Sequence, residues 1–184
     1  MIMILIKGDI MENFKFEKSY FDTITERFSC REFTEQSISD ELLNIILESG
    51  RIAPSAVNFY PTKIMVIENH ELLERLKEAT KYTFNSKLIL VIMHDKNLSW
   101  HRRTDNKDHG QIDSTIVATH MMLACTALGL GSTYVSAFKD DVLREILDIA
   151  DNYEINCMLP IGYPKEIKPH NTRKALEDII IYKK

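Results

Sequence analysis

The stretch KLILVIM at residues 87–93 constrains the fold more than any other part of the chain. After the leading lysine, every residue in it is apolar. A strand with one face in water alternates polar and apolar side chains, whereas a strand covered on both faces is apolar throughout. The stretch therefore predicts a central strand with packed layers on both sides of its sheet.

The segments around this strand predict the type of sheet. Helices are expected at 17–27, from an N-cap at Ser39 to a C-cap at Gly50, after an N-cap at Asn69, at 111–128 and at 139–150. Further strands are expected at 62–68, 132–138, 155–163 and 177–182. Because the order begins with two helices and does not alternate regularly, we predict an α+β fold with a sheet between helical layers.

Length, charge and cysteine content limit the functional classes. The 184 residues favour a single domain over 1–184, with 1–12 as a possible extension. The net charge of −4 argues against a surface for nucleic acid or anionic membranes. Three scattered cysteines without a CxxC pair indicate a reducing, cytoplasmic compartment and no zinc site. The apolar start is six residues long, shorter than the about 7–15 residues of a signal sequence.

The stretch RFSCREF at 27–33 places Arg27, Ser29 and Arg31 at every second position. In an extended segment these side chains point to one side. Two guanidinium groups and a hydroxyl suit a phosphate, because arginine offers forked donors to oxyanions. The alternative is that both arginines simply lie on a solvated surface near three glutamates. Those glutamates are Glu26, Glu32 and Glu35.

Three later stretches are each open to two interpretations. RIAPSAVNFYPTK at 51–63 is either a loop that hydrogen-bonds a planar heterocycle or a stiff connector. The glycines of ALGLGSTYVSAF at 127–138 either let the backbone approach a ligand closely or simply end a helix. IGYPKEIKPHNTRK at 161–174 is, taken alone, a basic loop. No GxGxxG dinucleotide fingerprint is present.

The polar stretch at 95–110 is expected to be a surface loop or a short lid. Its histidines and aspartates, together with the preceding His94, match no common metal-site spacing, so we predict a solvated loop and no metal. The residues concerned are His94, His101, Asp105, Asp108 and His109.

Together these motifs resemble the FMN-dependent nitroreductase family over about residues 20–182. The resemblance lies in RFSCR, in APSAVNFYP, in a long helix ending ALGLG, and in IGYP followed by the arginine of TRK. It implies an α+β homodimer with a mostly antiparallel central sheet and a C-terminal strand exchanged between subunits. It also implies two FMN sites at the subunit interface.

The resemblance assigns FMN contacts to particular residues. Arg27, Phe28, Ser29, Arg31 and Arg173 would surround the phosphate and ribityl chain. Residues of the other subunit, Pro54, Ser55 and Asn58, would lie along the isoalloxazine ring. Ser136 and Ala137 would offer backbone N–H groups near flavin N5, and Asn85 would be a further polar contact.

The implied activity is reduction of nitroaromatic or quinone-type acceptors by NAD(P)H, with hydride transfer at flavin N5 and no catalytic side chain of the protein itself. Two alternatives stay open. One is a specialised member, such as a reductive dehalogenase or a flavin-destroying enzyme. The other is a flavin-binding protein without turnover.

Overall fold

A computed structural model of the chain describes residues 18–168 and 173–182. The helices are α1 (Tyr20–Glu26), α2 (Asp40–Arg51), α3 (His70–Ala79), α4 (Gly110–Ala127) and α5 (Asp140–Leu147). The strands are β1 (Thr62–Ile67), β2 (Leu88–Asp95), β3 (Gly131–Ser132) and β4 (Tyr153–Gly162). Single 3-10 turns occur at Ala56–Asn58 and Leu176–Asp178. The predicted extension at 1–12 and the predicted helix start at residue 17 lie outside the described residues.

The sheet has the order β1-β2-β4-β3, and all neighbouring strands are antiparallel. The central strand β2 is buried at every position from Leu88 to His94. This confirms the prediction from KLILVIM, because β2 has β1 and β4 at its sides and helices over both faces.

Alternate side chains of β2 point to opposite faces of the sheet and join two separate apolar cores. Leu88, Leu90 and Ile92 join the core beneath α2 and α4. Ile89, Val91 and Met93 join the core beneath α3 and α5. The predicted α+β arrangement, a sheet between helical layers, is thus confirmed. No helix among the described residues is long and apolar enough to cross a membrane.

The N-caps Ser39 and Asn69 were predicted correctly, but the start of α1 and the ends of α2 and α5 were not. Ser39 and Asn69 accept hydrogen bonds from the backbone of α2 and α3, as N-caps do. Gly50 is not a C-cap, because α2 continues to Arg51. A Cβ at Gly50 would lie 2.8 Å from the Met121 sulfur, so the glycine lets α2 pack closely on α4.

Two predicted strands differ from the structure. The strand expected at 132–138 is paired in β3 only as far as Ser132, followed by one bridge between Val135 and Met158, because the chain then turns toward α3. The strand expected at 177–182 does not join the four-stranded sheet. Leu176–Asp178 form a 3-10 turn there, since a segment outside the sheet gains no ladder hydrogen bonds.

Candidate active site

The RFSCREF segment leaves α1 at Arg27 and runs along the ends of β3 and β4. The Cys30 N–H donates to the Ser132 carbonyl at 3.1 Å, and the Thr34 N–H donates to the Tyr163 carbonyl at 2.8 Å. The Thr133 hydroxyl donates to the Cys30 carbonyl. These bonds hold the segment extended, as the alternation of its side chains predicted.

Two glycines allow this close approach. Cys30 and Phe33 point inward and are 2% and 6% exposed, whereas Ser29 and Arg31 are exposed. A Cβ at Gly131 would lie 2.5 Å from the Cys30 Cβ, and a Cβ at Gly162 would lie 2.9 Å from the Phe33 ring. The RFSCREF, ALGLG and IGYP motifs therefore meet at one place.

Arg27, the first arginine of this segment, lies near a second positive charge. Arg27 is half-buried. Its pKa is lowered by burial and also by the charge of Arg173, so the structure brings together the two arginines that were predicted to cooperate. Like charges repel, and such a pair suits a bound anion.

The glutamates near these arginines are neutralised by lysines instead. The ion pairs are Glu26–Lys18 at 2.7 Å, Glu32–Lys168 at 3.0 Å and Glu35–Lys87 at 3.1 Å. Within residues 18–168 and 173–182, no ion pair joins Arg27 or Arg31 to a carboxylate. The glutamates therefore pair with lysines, while Arg31 itself is exposed to solvent.

Arg31 lies between two adjoining pockets. One is a cleft of about 210 Å³ that Arg31 lines together with residues 133–137, including the predicted Ser136 and Ala137. The other is a pocket of about 140 Å³, lined by residues 28–32 together with Glu166 and Lys168. Five of the predicted residues thus line these two pockets, which share Arg31.

Two aromatic residues of the cleft were missed from the sequence. Tyr82 and Phe84 line it, with ring centroids 6.0 Å apart. The available signal was their position beside Asn85 in YTFN. Asn85 itself is exposed, does not line the cleft, and follows Phe84 in a left-handed turn with φ near 52°.

The cleft presents two unused backbone donors. In the part of the chain that the structure describes, the N–H groups of Ser136 and Ala137 have no hydrogen-bond partner. The residue before them is fixed by two bonds between Val135 and Met158, at 2.9 and 2.8 Å.

The residues after these donors are fixed as well. The Ala137 carbonyl accepts a bond of 2.6 Å from the Thr80 hydroxyl, and the Lys139 N–H donates to the Ala79 carbonyl at 2.9 Å. The free amides are thus held at both ends, which favours their use as preorganised donors.

The predicted residues Pro54, Ser55 and Asn58 lie elsewhere. Pro54 and Asn58 are exposed, and Ser55 lines a separate pocket of about 470 Å³ between α2 and β1. The buried Asp113 carboxylate accepts the Ala56 N–H at 2.8 Å and fixes this loop to α4. One chain therefore does not bring these three residues to the Arg31 cleft.

The predicted solvated loop is correct for most of 95–110 but wrong for His94. His94 is 1% exposed at the end of β2, where its ring nitrogens lie 3.0 Å from Asn156 and 3.3 Å from Asp108. His94 is buried because β2 runs to Asp95, two residues beyond the predicted end at Met93. Among the described residues, no group of three metal-ligating side chains occurs.

The cysteines offer no reactive thiolate. All three are free and buried. Burial raises the pKa of both Cys125 and Cys157 to about 12, so these thiols stay protonated at neutral pH.

The family profile described as Nitroreductase family matches residues 24–88 and 81–163. The chain belongs to this family. It is 30% identical over 154 residues to an Archaeoglobus fulgidus protein whose provisional name is NADH dehydrogenase/NAD(P)H nitroreductase, covering 79% of this chain and 85% of that protein.

Solved structures agree with this assignment. A nitroreductase family protein from Clostridium difficile 630 superimposes with a TM-score of 0.85 at 32% identity, covering 91% of this chain and 99% of that one. A protein from Desulfovibrio desulfuricans, provisionally named a nitroreductase and solved in complex with FMN, has a TM-score of 0.81 at 23% identity. The superposition covers 91% of this chain and 98% of the Desulfovibrio desulfuricans chain. At this identity the similarity shows the fold alone.

Proposed function

We propose that this protein is an FMN-dependent oxidoreductase that uses NAD(P)H to reduce nitroaromatic or quinone-type acceptors by hydride transfer at flavin N5. The observation that carries the proposal is a cleft that Arg31 lines together with an aromatic wall and two unpartnered backbone amides. Membership of the nitroreductase family and the NAD(P)H-dependent names of relatives support it.

The residues present fit FMN. Its phosphate would lie against Arg27, Ser29, Arg31 and Arg173, with Phe28 beside the ribityl chain. An anion there relieves the repulsion that lowers the pKa of Arg27. Each charge-assisted hydrogen bond contributes about 1.5–3 kcal/mol, so these cations are the main source of affinity.

The cleft fits the ring end of the cofactor. When bound, FMN supplies the hydride chemistry, accepting from a nicotinamide and passing electrons to an acceptor. The chain itself holds and orients the cofactor: the Ser136 and Ala137 amides would donate to the flavin edge, and Asn85, which follows Phe84 outside the cleft lining, would add a polar contact. Tyr82 and Phe84 give an aromatic wall on which a planar acceptor can stack.

A second copy of the chain completes the proposed site. Pro54, Ser55 and Asn58 face solvent or a different pocket in one chain, so the homodimer is the arrangement that would bring them to the flavin. Exposed apolar side chains on the same loop, Val57 and Phe59, support an interface there.

The C-terminal segment supports the same assembly. Ile179, Ile181 and Tyr182 are 67%, 94% and 69% exposed. The strand β1 has an open edge in the described sheet. We therefore propose that residues 177–182 pair as a strand with the sheet of the second copy, where they gain ladder bonds and burial.

We further propose that the whole chain, 1–184, acts as one domain in the cytoplasm. The three buried, unpaired cysteines support a reducing compartment.

An anaerobic titration tests the function. The purified protein is loaded with FMN, and its flavin absorbance is followed as NADH or NADPH is added, before a quinone or a nitroaromatic compound. We expect one nicotinamide to bleach the flavin and each acceptor to restore the colour. Failure to bind FMN would refute the proposal.

Two other results would favour the alternatives. If FMN binds but neither nicotinamide bleaches it, the protein is a flavin-binding protein without turnover. If turnover consumes the flavin or releases halide from a halogenated substrate, a specialised member of the family is indicated.

A further inference from the structure

Thr80 joins the two walls of the cleft. It follows α3 as its C-cap and is 6% exposed. Its hydroxyl donates to the Ala137 carbonyl at 2.6 Å and accepts from the Tyr82 N–H at 3.2 Å. One buried hydroxyl therefore contacts the segment with the free amides and the segment with the aromatic wall.

The bond to Ala137 lies one peptide unit from a free donor. The Ala137 carbonyl belongs to the peptide group that follows the Ala137 N–H. Fixing that carbonyl restricts the ψ angle of Ala137, while the paired bonds of Val135 with Met158 restrict the chain on the other side. Removal of the hydroxyl would free this peptide group, because the bond is the one side-chain contact that holds the Ala137 carbonyl among the described residues.

We propose that Thr80 is a positioning residue that sets the direction of the Ala137 amide and its distance from the aromatic wall. This inference rests on the proposed function, in which that amide contacts the flavin. Thr80 touches neither cofactor nor substrate in this proposal, and it acts only through Ala137 and Tyr82.

Thr80→Ala and Thr80→Ser form the test, because these two variants differ only in the hydroxyl oxygen. The control is Thr126→Val, which removes another buried hydroxyl that donates to a backbone carbonyl, at 3.1 Å within α4. Each protein is checked for folding by thermal unfolding, and then its FMN affinity and flavin reduction potential are measured.

We expect Thr80→Ala to weaken FMN binding about fivefold, the effect of losing one ordinary hydrogen bond, and to shift the flavin potential. Thr80→Ser should stay within about twofold of the wild type, as should the control. A merely structural role would lower the unfolding temperature without moving the potential. Equal affinities and potentials for the Ala and Ser variants would overturn the inference.

Hydrogen exchange separates this inference from the proposed function. In the flavin-free protein, the Lys139 amide, which donates to the Ala79 carbonyl, should exchange faster in Thr80→Ala than in Thr80→Ser, because the loop is no longer held at Ala137. Unchanged exchange overturns the positioning role even if FMN binds. If the wild type fails to bind FMN while exchange responds, the proposed function fails but the hydroxyl still orders the loop.

Discussion

Gly131→Ala should damage FMN binding through steric overlap with the RFSCREF segment. The added Cβ would lie 2.5 Å from the Cys30 Cβ and 2.7 Å from its sulfur. Carbon atoms pack best at about 3.5–4.0 Å, so the segment must move outward by roughly 1 Å. Such overpacking costs about 1–3 kcal/mol of the free energy of unfolding.

The same movement displaces Ser29 and Arg31, which neighbour Cys30. Loss of a single charge-assisted bond of about 1.5–3 kcal/mol raises the Kd by about 10- to 150-fold. We therefore expect the Kd for FMN, measured by fluorescence titration, to rise at least tenfold, while urea unfolding reports the separate loss of stability.

Gly129→Ala is the matched control. Gly129 ends α4 with φ near 74°, and a Cβ there would meet no atom within 4 Å. Left-handed backbone costs a non-glycine residue about 1–2 kcal/mol, so this variant should lose similar stability but keep its FMN affinity.

A double-mutant cycle identifies the clashing atom. In a Cys30→Gly background, the cost of Gly131→Ala should nearly vanish, whereas in a Cys30→Ala background it should persist, because the contact between the two Cβ atoms remains. If Gly131→Ala kept wild-type stability and affinity, close approach at this glycine would not be what positions Arg31.

Three further predictions follow from individual contacts. Arg27→Ala should raise the Kd for FMN at least tenfold, because a cation that contacts the phosphate is lost. The unfolding temperature of the flavin-free variant should stay unchanged or rise, because repulsion from Arg173 is removed. A lower unfolding temperature would contradict this explanation. Asp113→Ala should cost about 1.5–3 kcal/mol of the free energy of unfolding and loosen the loop that begins at Ala56. Asp113→Asn should lose less, because its side chain keeps an oxygen that can accept the Ala56 N–H. Equal losses for the two variants in urea unfolding would count against the contact. The Arg51 guanidinium holds the pKa of Glu48 below its usual 4.5, so this pair stabilises the fold above that pH, and the contribution is lost as pH falls through the lowered pKa. Glu48→Gln should therefore be less stable at neutral pH and show a flatter dependence below pH 4.5; parallel pH curves for the two proteins would refute the assignment.

The layers of the fold were predictable because they follow from local patterns. The apolar run in β2 required two covered faces, and Ser39 and Asn69 mark helix starts by their own chemistry. The length of the strand near 132–138 was not predictable in this way. Its Thr133, Tyr134 and Val135 favour a strand, but after Ser132 only one bridge, at Val135, continues the pairing, because residues 133–137 line a cleft.

The site was predictable where a motif carries its own chemistry. Arg27, Ser29 and Arg31 are recognisable by their charge and alternation. The structure places Ser29 and Arg31 in the lining of one pocket and Arg27 near the charge of Arg173, and their contact with FMN stays a prediction. Thr80 gives no such signal. Its partner Ala137 is 57 residues away along the chain, and only the packing of α3 against that loop brings them together.

Strained backbone conformations occur mainly in the loops to which the proposal assigns flavin contacts. Seven non-glycine residues in the described ranges have positive φ. Five of them lie in the two short loops given flavin contacts, namely Val57, Asn58, Tyr60, Phe84 and Asn85. Such conformations cost about 1–3 kcal/mol each and persist where the surrounding structure enforces them, most often at functional sites.

The two strained loops lie apart within one chain. The loop around Asn58 is bound to α4 through Asp113, whereas the loop around Phe84 is joined through Thr80 to the cleft. Strain in both is understandable if both meet the same ligand, and a second copy of the chain is the simplest means of bringing them together. On this reasoning FMN and dimerisation are coupled, so dilution to a monomer should release the flavin. A monomer that retains FMN would refute the shared site.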